Sequence, residues 1–175
     1  MGEAGSGDGG VKALTLHQPW ASLLVAGIKR NETRSWATSH RGPLAIHAAK
    51  LSASDLLRRI GDDEYVRLGK LCHLMGLGWI PGLPRGCIVG TVDVVDCLPI
   101  GLDWTGRCRA LLDGKGNELV DDREESLGDY TPGRYAWVGA HHKALSEPIT
   151  CQGRQGLWTV SSVEAAVLAG EGAIA

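Results

Sequence analysis

Lys29, Glu32 and Arg34 stand close together in the segment GIKRNETRSW, residues 27–36, with Gly27 at its start and Trp36 at its end. A lysine, a carboxylate and a guanidinium that converge can bind a phosphate or polarise a carbonyl, and the carboxylate can take or give a proton. Arginine adds two parallel donors suited to phosphate or a base edge, and lysine a point charge whose pKa falls when desolvated. Trp36 adds a flat apolar face on which a base could stack, an interaction of ~1–3 kcal/mol. If the segment is extended, side chains alternate in direction, so Glu32 and Arg34 share one face. Lys29, at its start, can turn toward the same face. The competing arrangement is an ion pair that seals one end of a sheet and needs no ligand. In an open cleft either cation could be removed at little cost to stability; in a dry seal, removal strands a charge.

Other residues could join this group. Gln18 and His17 lie where a first strand meets a first helix, and Arg41, in SHRG, adds positive charge beside the segment. Asp129, Tyr130 and Arg134 flank a Pro-Gly turn that could overhang the site. The expected ligand contacts are therefore Gln18, Gly27, Lys29, Glu32, Arg34, Trp36, Arg41, Tyr130 and Arg134. Should the protein be an enzyme, Lys29, Glu32 and Arg34 would carry the chemistry. Lys50 reads as solvated, while His47 either packs inside the fold or joins the site. His141 and His142 have no acidic or cysteine partner at ligand spacing, so neither a metal site nor a cofactor is expected.

The elements around these residues are readable in outline. MGEAGSGDGG, residues 1–10, is a Gly-rich polar leader, expected to be disordered. VKALTLHQ alternates as a strand, and PWASLLVAGIK follows as a short helix with Pro19 in its first turn and Gly27 at its end. GPLAIHAAK is the next strand, and SASDLLRRI and DDEYVRLGKLCHLMG are two helices, the first capped by Ser52. CIVGTVDVVDCLPI is the clearest strand, rich in β-branched residues. Residues 101–130 form a polar, Gly-rich excursion; GRYAWVGAHH and RQGLWTV give two short strands joined through LSEPITCQG. The tail, residues 161–175, holds at most one amphipathic turn. Short strands with a few helices between them indicate an α+β domain on a small closed or nearly closed sheet.

The chain has 175 residues, 43% of them hydrophobic, which suits one domain with a sizeable core. A net charge of −2 provides no global field for a polyanion, so any nucleic-acid contact must come from a local patch and duplex DNA binding should be weak. Five cysteines, an odd number with no C-x-x-C pair, fit free thiols in a reducing compartment. Without a signal peptide or a membrane-length apolar run, a cytoplasmic protein is expected.

Taken in order, LTLHQPWASLLVAGIKRNETRSW, RGPLAIHAAK, GCIVGTVDVVDC, GDYTPGRYAWVGA and GRQGLW resemble the ASCH domain of the PUA-like superfamily. The likeness covers residues 11–160, and Gly27, Lys29, Glu32 and Arg34 match the family's G-x-K-x-x-E-x-R signature. It extends to the bacterial and phage single-domain members and to the module attached to a eukaryotic transcriptional coactivator. It implies an α+β fold built on a small PUA-like β-barrel of about five to six strands with flanking helices, and a cleft proposed for RNA or a nucleotide- or nucleoside-like small molecule. Some members are reported as ribonucleases, and one as an amidohydrolase of an acylated cytidine, so a hydrolytic role is the alternative. In amidohydrolase-like members a threonine nucleophile stands where this chain has Glu32, activated by a lysine matching Lys29. Thr33 lies one step away, which puts that mechanism in doubt here.

Overall fold

The computed structural model describes residues 10–115 and 117–172; the leader expected over residues 1–10 lies outside them apart from Gly10. The chain starts with β1 (Lys12–Leu16), α1 (Trp20–Val25), β2 (Asn31–Arg34) and β3 (Gly42–Ala48). Then come α2 (Ala53–Ile60), α3 (Asp62–Leu74), a 3₁₀ turn (Ile80–Gly82) and β4 (Cys87–Leu102). β5 (Arg109–Leu111), β6 (Glu118–Leu119) and α4 (Asp122–Glu125) occupy the excursion, followed by β7 (Tyr135–Thr150), β8 (Leu157–Thr159) and α5 (Ser162–Gly172).

The strands run in the order β2-β7-β4-β3-β1-β8, with β5 on the far end of β4 and β6 beside it. The fold is α+β, but the closed or nearly closed barrel of five to six strands is corrected to an open sheet of eight. β2 and β8 remain at opposite edges because the outer edge of β2 is taken by the excursion rather than by another strand. Two strands were hidden in that excursion as short pieces, β5 and β6. GRYAWVGAHH and LSEPIT, read as a strand and a linker, are one strand of 16 residues, β7, whose pairing with β4 shifts register three times. Bulges of this kind bend a long antiparallel pair and blur its alternation in sequence.

The core follows strand alternation. Leu14, Leu16, Leu44 and Ile46 face Leu24 and Val25 of α1, with Trp137 among them. Ala13 and Ala45 point to the other face, against Trp158, Val160 and the Ala165 and Leu168 side chains of α5. Each buried Leu or Ile contributes about 1.5–3 kcal/mol. A third cluster packs Leu23 of α1 against Leu56, Leu68 and Cys72 of α2 and α3 and against Leu127. α1 thus sits between the sheet and the outer helices, and its C-terminal end delivers the chain to β2. The single turn expected in the tail is an 11-residue helix, α5. Its start signal is Ser161 and Glu164: each backbone N–H reaches the other's side chain, at 2.8 and 3.4 Å.

No described helix is long and apolar enough to cross a membrane. All five cysteines are free; Cys72 and Cys87 are buried, Cys108 is exposed, and Cys97 and Cys151 lie between. Burial pushes the Cys72 thiol up to about 11 and raises Cys87 as well. A disulfide exchange reagent should therefore label Cys108 first and Cys72 last in the native protein, and should count five thiols in denaturant without reductant.

Candidate functional site

Glycine at position 27 is what aims the signature. It takes φ +69°, a left-handed conformation that closes helices and costs a side-chain-bearing residue about 1–2 kcal/mol. The turn brings the N–H groups of both Ile28 and Lys29 to the Leu23 carbonyl, each at 3.0 Å, and sends the lysine side chain inward. Lys29 is only 1% exposed. Its Nζ donates to the Asn31 carbonyl and lies 3.2 Å from Glu32 Oε2. The other Glu32 oxygen lies 3.2 Å from Arg34 Nε. Glu32 therefore bridges a buried cation and a half-exposed one.

Glu32 and Arg34 do share a face, as the strand period requires, and β2 is held in register by β7 through Glu32–Trp137 and Arg34–Tyr135. Its outer edge is held by Glu124, which is 2% exposed. One Glu124 oxygen accepts from the Arg30 N–H at 2.8 Å; the other accepts from the Asn31 N–H at 3.0 Å and from the Tyr130 hydroxyl at 2.7 Å. Burial, reinforced by the Glu124 charge, pushes the Tyr130 phenol far above its ordinary pKa, so it stays a donor. The Asp129 N–H donates to Thr33 Oγ1 at 3.0 Å, pinning residues 126–129 along β2.

These elements enclose a cavity of about 450 Å³. Lys29, Glu32 and Arg34 form its floor, Trp20 of α1 and Glu64 of α3 line one side, and Asp129 and Arg134 the other. Arg134 Nε lies 3.2 Å from Asp129 Oδ2. His17 lies at the rim, its ring 3.4 Å from Arg59 Nη1. Burial, with the Arg59 and Arg34 charges, lowers its pKa below the ordinary histidine value. Arg34 Nη2 also reaches the Thr15 carbonyl at 3.4 Å, but its buried Nε, despite the nearby carboxylate, has no well-aligned acceptor. Among the described residues no group of three His, Cys, Asp or Glu side chains is placed to hold a metal.

Of the expected contacts, the structure brings Lys29, Glu32, Arg34 and Arg134 together and leaves the other five outside the cavity lining. Gln18 is buried, donating to Ser22 Oγ and the Pro84 carbonyl, each at 2.8 Å, and so ties the start of α1 to the loop before β4. Gly27 supplies the turn rather than a surface. Trp36 stands edge-on to Trp137, ring centroids 4.7 Å apart, beyond the end of β2. Arg41 pairs with Asp96 at 2.9 Å, and Tyr130 supports β2 from behind. The aromatic face in the cavity is Trp20, which lay in view at the start of α1. Glu64 and Ser126 came from segments with no local signal, since only the tertiary packing of α3 and the excursion puts them there.

A family model for the ASCH domain matches residues 14–149. The chain belongs to the ASCH domain family. This ASCH chain is similar to Activating signal cointegrator 1 of Homo sapiens, 44% identical over 93 residues, and to that of Mus musculus, 43% identical over 101. Each match takes 52% of this chain and spans 15% of the relative's length. Among solved structures it is similar to the crystal structure of ASCH from Zymomonas mobilis, with a TM-score of 0.49 and 14% identity over 91% of this chain and 93% of that one.

The two cations of the signature differ in burial, and stability should separate them. Lys29→Met leaves Glu32 short of a partner in a dry site and should cost ~3–5 kcal/mol. Arg34→Ala leaves the Lys29–Glu32 pair intact and should cost about 1 kcal/mol or less. Urea melts of both variants beside the parent check the split; equal losses would contradict it.

Proposed function

We propose that this ASCH domain binds a single RNA strand, or a nucleotide-like unit of one, in the cleft over Glu32, Arg34 and Arg134. The observation that carries this reading is the state of Arg34: a cleft-lining guanidinium, partly open to solvent, fixed in direction by Glu32 at its Nε, with Nη2 making only a long 3.4 Å bond to the Thr15 carbonyl. A planar fork of donors held that way suits a phosphate or a base edge. Trp20 offers the ring on which a base could stack. Family membership supports the same reading, and the net charge of −2 favours a local contact over a duplex-wide one.

Binding is favoured over hydrolysis by how the reactive groups are already engaged. The Lys29 ammonium is tied to Glu32 and to the Asn31 carbonyl, so it is poorly placed to activate a nucleophile. The Thr33 hydroxyl accepts from the Asp129 N–H and belongs to the wall that holds the excursion. Neither half of a lysine-activated threonine is free for the task.

Fluorescence anisotropy with a 5′-labelled, mixed-sequence RNA decamer in 50 mM salt tests the proposal. The parent should bind, Arg34→Ala should weaken binding about tenfold or more, and Trp36→Ala should leave it within about twofold, as expected for a lost charged hydrogen bond against an uninvolved ring. No binding by the parent, or equal binding by Arg34→Ala, would overturn it. A denaturing gel of the same RNA after incubation would show shortened products if the hydrolytic alternative held.

A further inference from the structure

Arg34 is shared by two cavities. On its far side a second one, of about 980 Å³, opens between the ends of β1 and β3 and the loop that precedes β8. Thr15, His17 and Arg34 line both and form the partition between them. The two cavities differ in charge. The first includes Glu32, Glu64 and Asp129 among its lining residues, whereas no acidic side chain is among the described residues lining the second. There, Arg34 is joined by Lys50 and Arg154, and neither Lys50 nor Arg154 has an ion pair among the described residues. In a chain of net charge −2, this sets two cations without an ion pair beside the Glu32-paired Arg34 at one concave place.

The floor of this second cavity is prepared as well as charged. His47 is 2% exposed; its Nε2 lies 3.3 Å from the Cys151 carbonyl, while Nδ1 is buried without a partner. An orphaned buried nitrogen of this kind is unfavourable unless a ligand or water meets it. Gly153 lies directly over that ring: a Cβ there would stand 2.4 Å from Nδ1 and 2.9 Å from Thr15 Oγ1. Only glycine lets the loop pass so close to the imidazole. The Lys50 stem in turn lies across Gly86, where a Cβ would come within 2.8 Å of its Cε, and this directs the ammonium along the cavity edge. The motif GRQGLW, read from sequence as part of the family likeness alone, thus supplies the cover and one cation of this cavity.

We infer that the second cavity is a phosphate subsite continuous with the first, so that the two take consecutive units of one strand. A nucleoside lies over Glu32, Arg34 and Trp20, and the phosphodiester joining it to its neighbour lies among Arg34, Lys50 and Arg154. This inference rests on the proposed RNA-binding reading and adds to it a polarity of roles: the mixed-charge cavity selects the unit, and the basic cavity holds the chain. It makes the ligand a strand of at least two nucleotides rather than a free nucleoside.

One double variant and two probes test it. With the labelled RNA decamer, the double variant Lys50→Ala/Arg154→Ala should lose the phosphate contact these two cations hold, lowering the slope of log affinity against log salt by about 0.7. Its thermal melt should match the parent's, because both side chains are exposed. Inorganic pyrophosphate, followed by NMR of the His47 ring, separates a strand from a free-phosphate source. Weak shifts at millimolar pyrophosphate, together with the loss of slope, are the expected result. An unchanged slope in a folded double variant, with RNA still bound, would overturn the subsite and leave the RNA-binding reading standing. Failure of the parent to bind RNA would overturn both. Tight pyrophosphate binding without RNA binding would identify a free-phosphate site and refute the strand.

Discussion

A lysine ammonium sealed from water has to be neutralised where it lies, and at Lys29 the neutralising group is Glu32, 3.2 Å away. The rest of the cleft depends on that requirement. With Lys29 on one side, Glu32 cannot turn away from β2 without leaving an unpaired charge in a dry place, a cost of several kcal/mol. With Glu32 fixed, Arg34 is drawn along the strand and presents its guanidinium to both cavities. The signature therefore seals and lines at once. Its first cation is buried in the pair, its carboxylate transmits position, and its second cation lines both cavities.

The same economy governs the edge strand that carries these residues. β2 is four residues long and pairs with β7 along one edge only. The Glu124 carboxylate takes the two N–H groups at its start, and the Thr33 hydroxyl holds the excursion alongside. An edge strand left open is a template for unwanted pairing, and covering it with a loop removes that hazard. Here the cover also builds the wall that holds Asp129 and Arg134 beside the cavity. The open sheet and the cleft thus have a common origin: the excursion occupies the edge at which a barrel would close.

What is local in this fold is legible in the sequence, and what is distant is not. The helix stop at Gly27, the common face of Glu32 and Arg34 and the Ser52 cap follow from dihedral preference, strand period and capping chemistry. Each acts within a few residues. Trp36 and Arg41 stand near the signature along the chain, yet the chain turns away after Arg34, and each finds a partner elsewhere, in Trp137 and Asp96. Tyr130 supports β2 from behind, and nothing local announces its bond to Glu124. Glu124 itself is one of several acids in DDREES, and only folding distinguishes the buried one. The basic cavity was invisible for the same reason: Lys50 and Arg154 are far apart in sequence and meet only because β3 and the loop before β8 end at one place.

The dependence of Arg34 on a buried pair is open to direct measurement by a double-mutant cycle on Lys29→Met and Glu32→Gln, read by urea denaturation at neutral pH. If the pair is the seal described, each single change strands its partner and the double change relieves it. The coupling energy should then exceed about 2 kcal/mol. A coupling below about 0.5 kcal/mol, with both single variants near parental stability, would show that Lys29 and Glu32 are solvated neighbours and would contradict the seal on which the geometry of Arg34 rests.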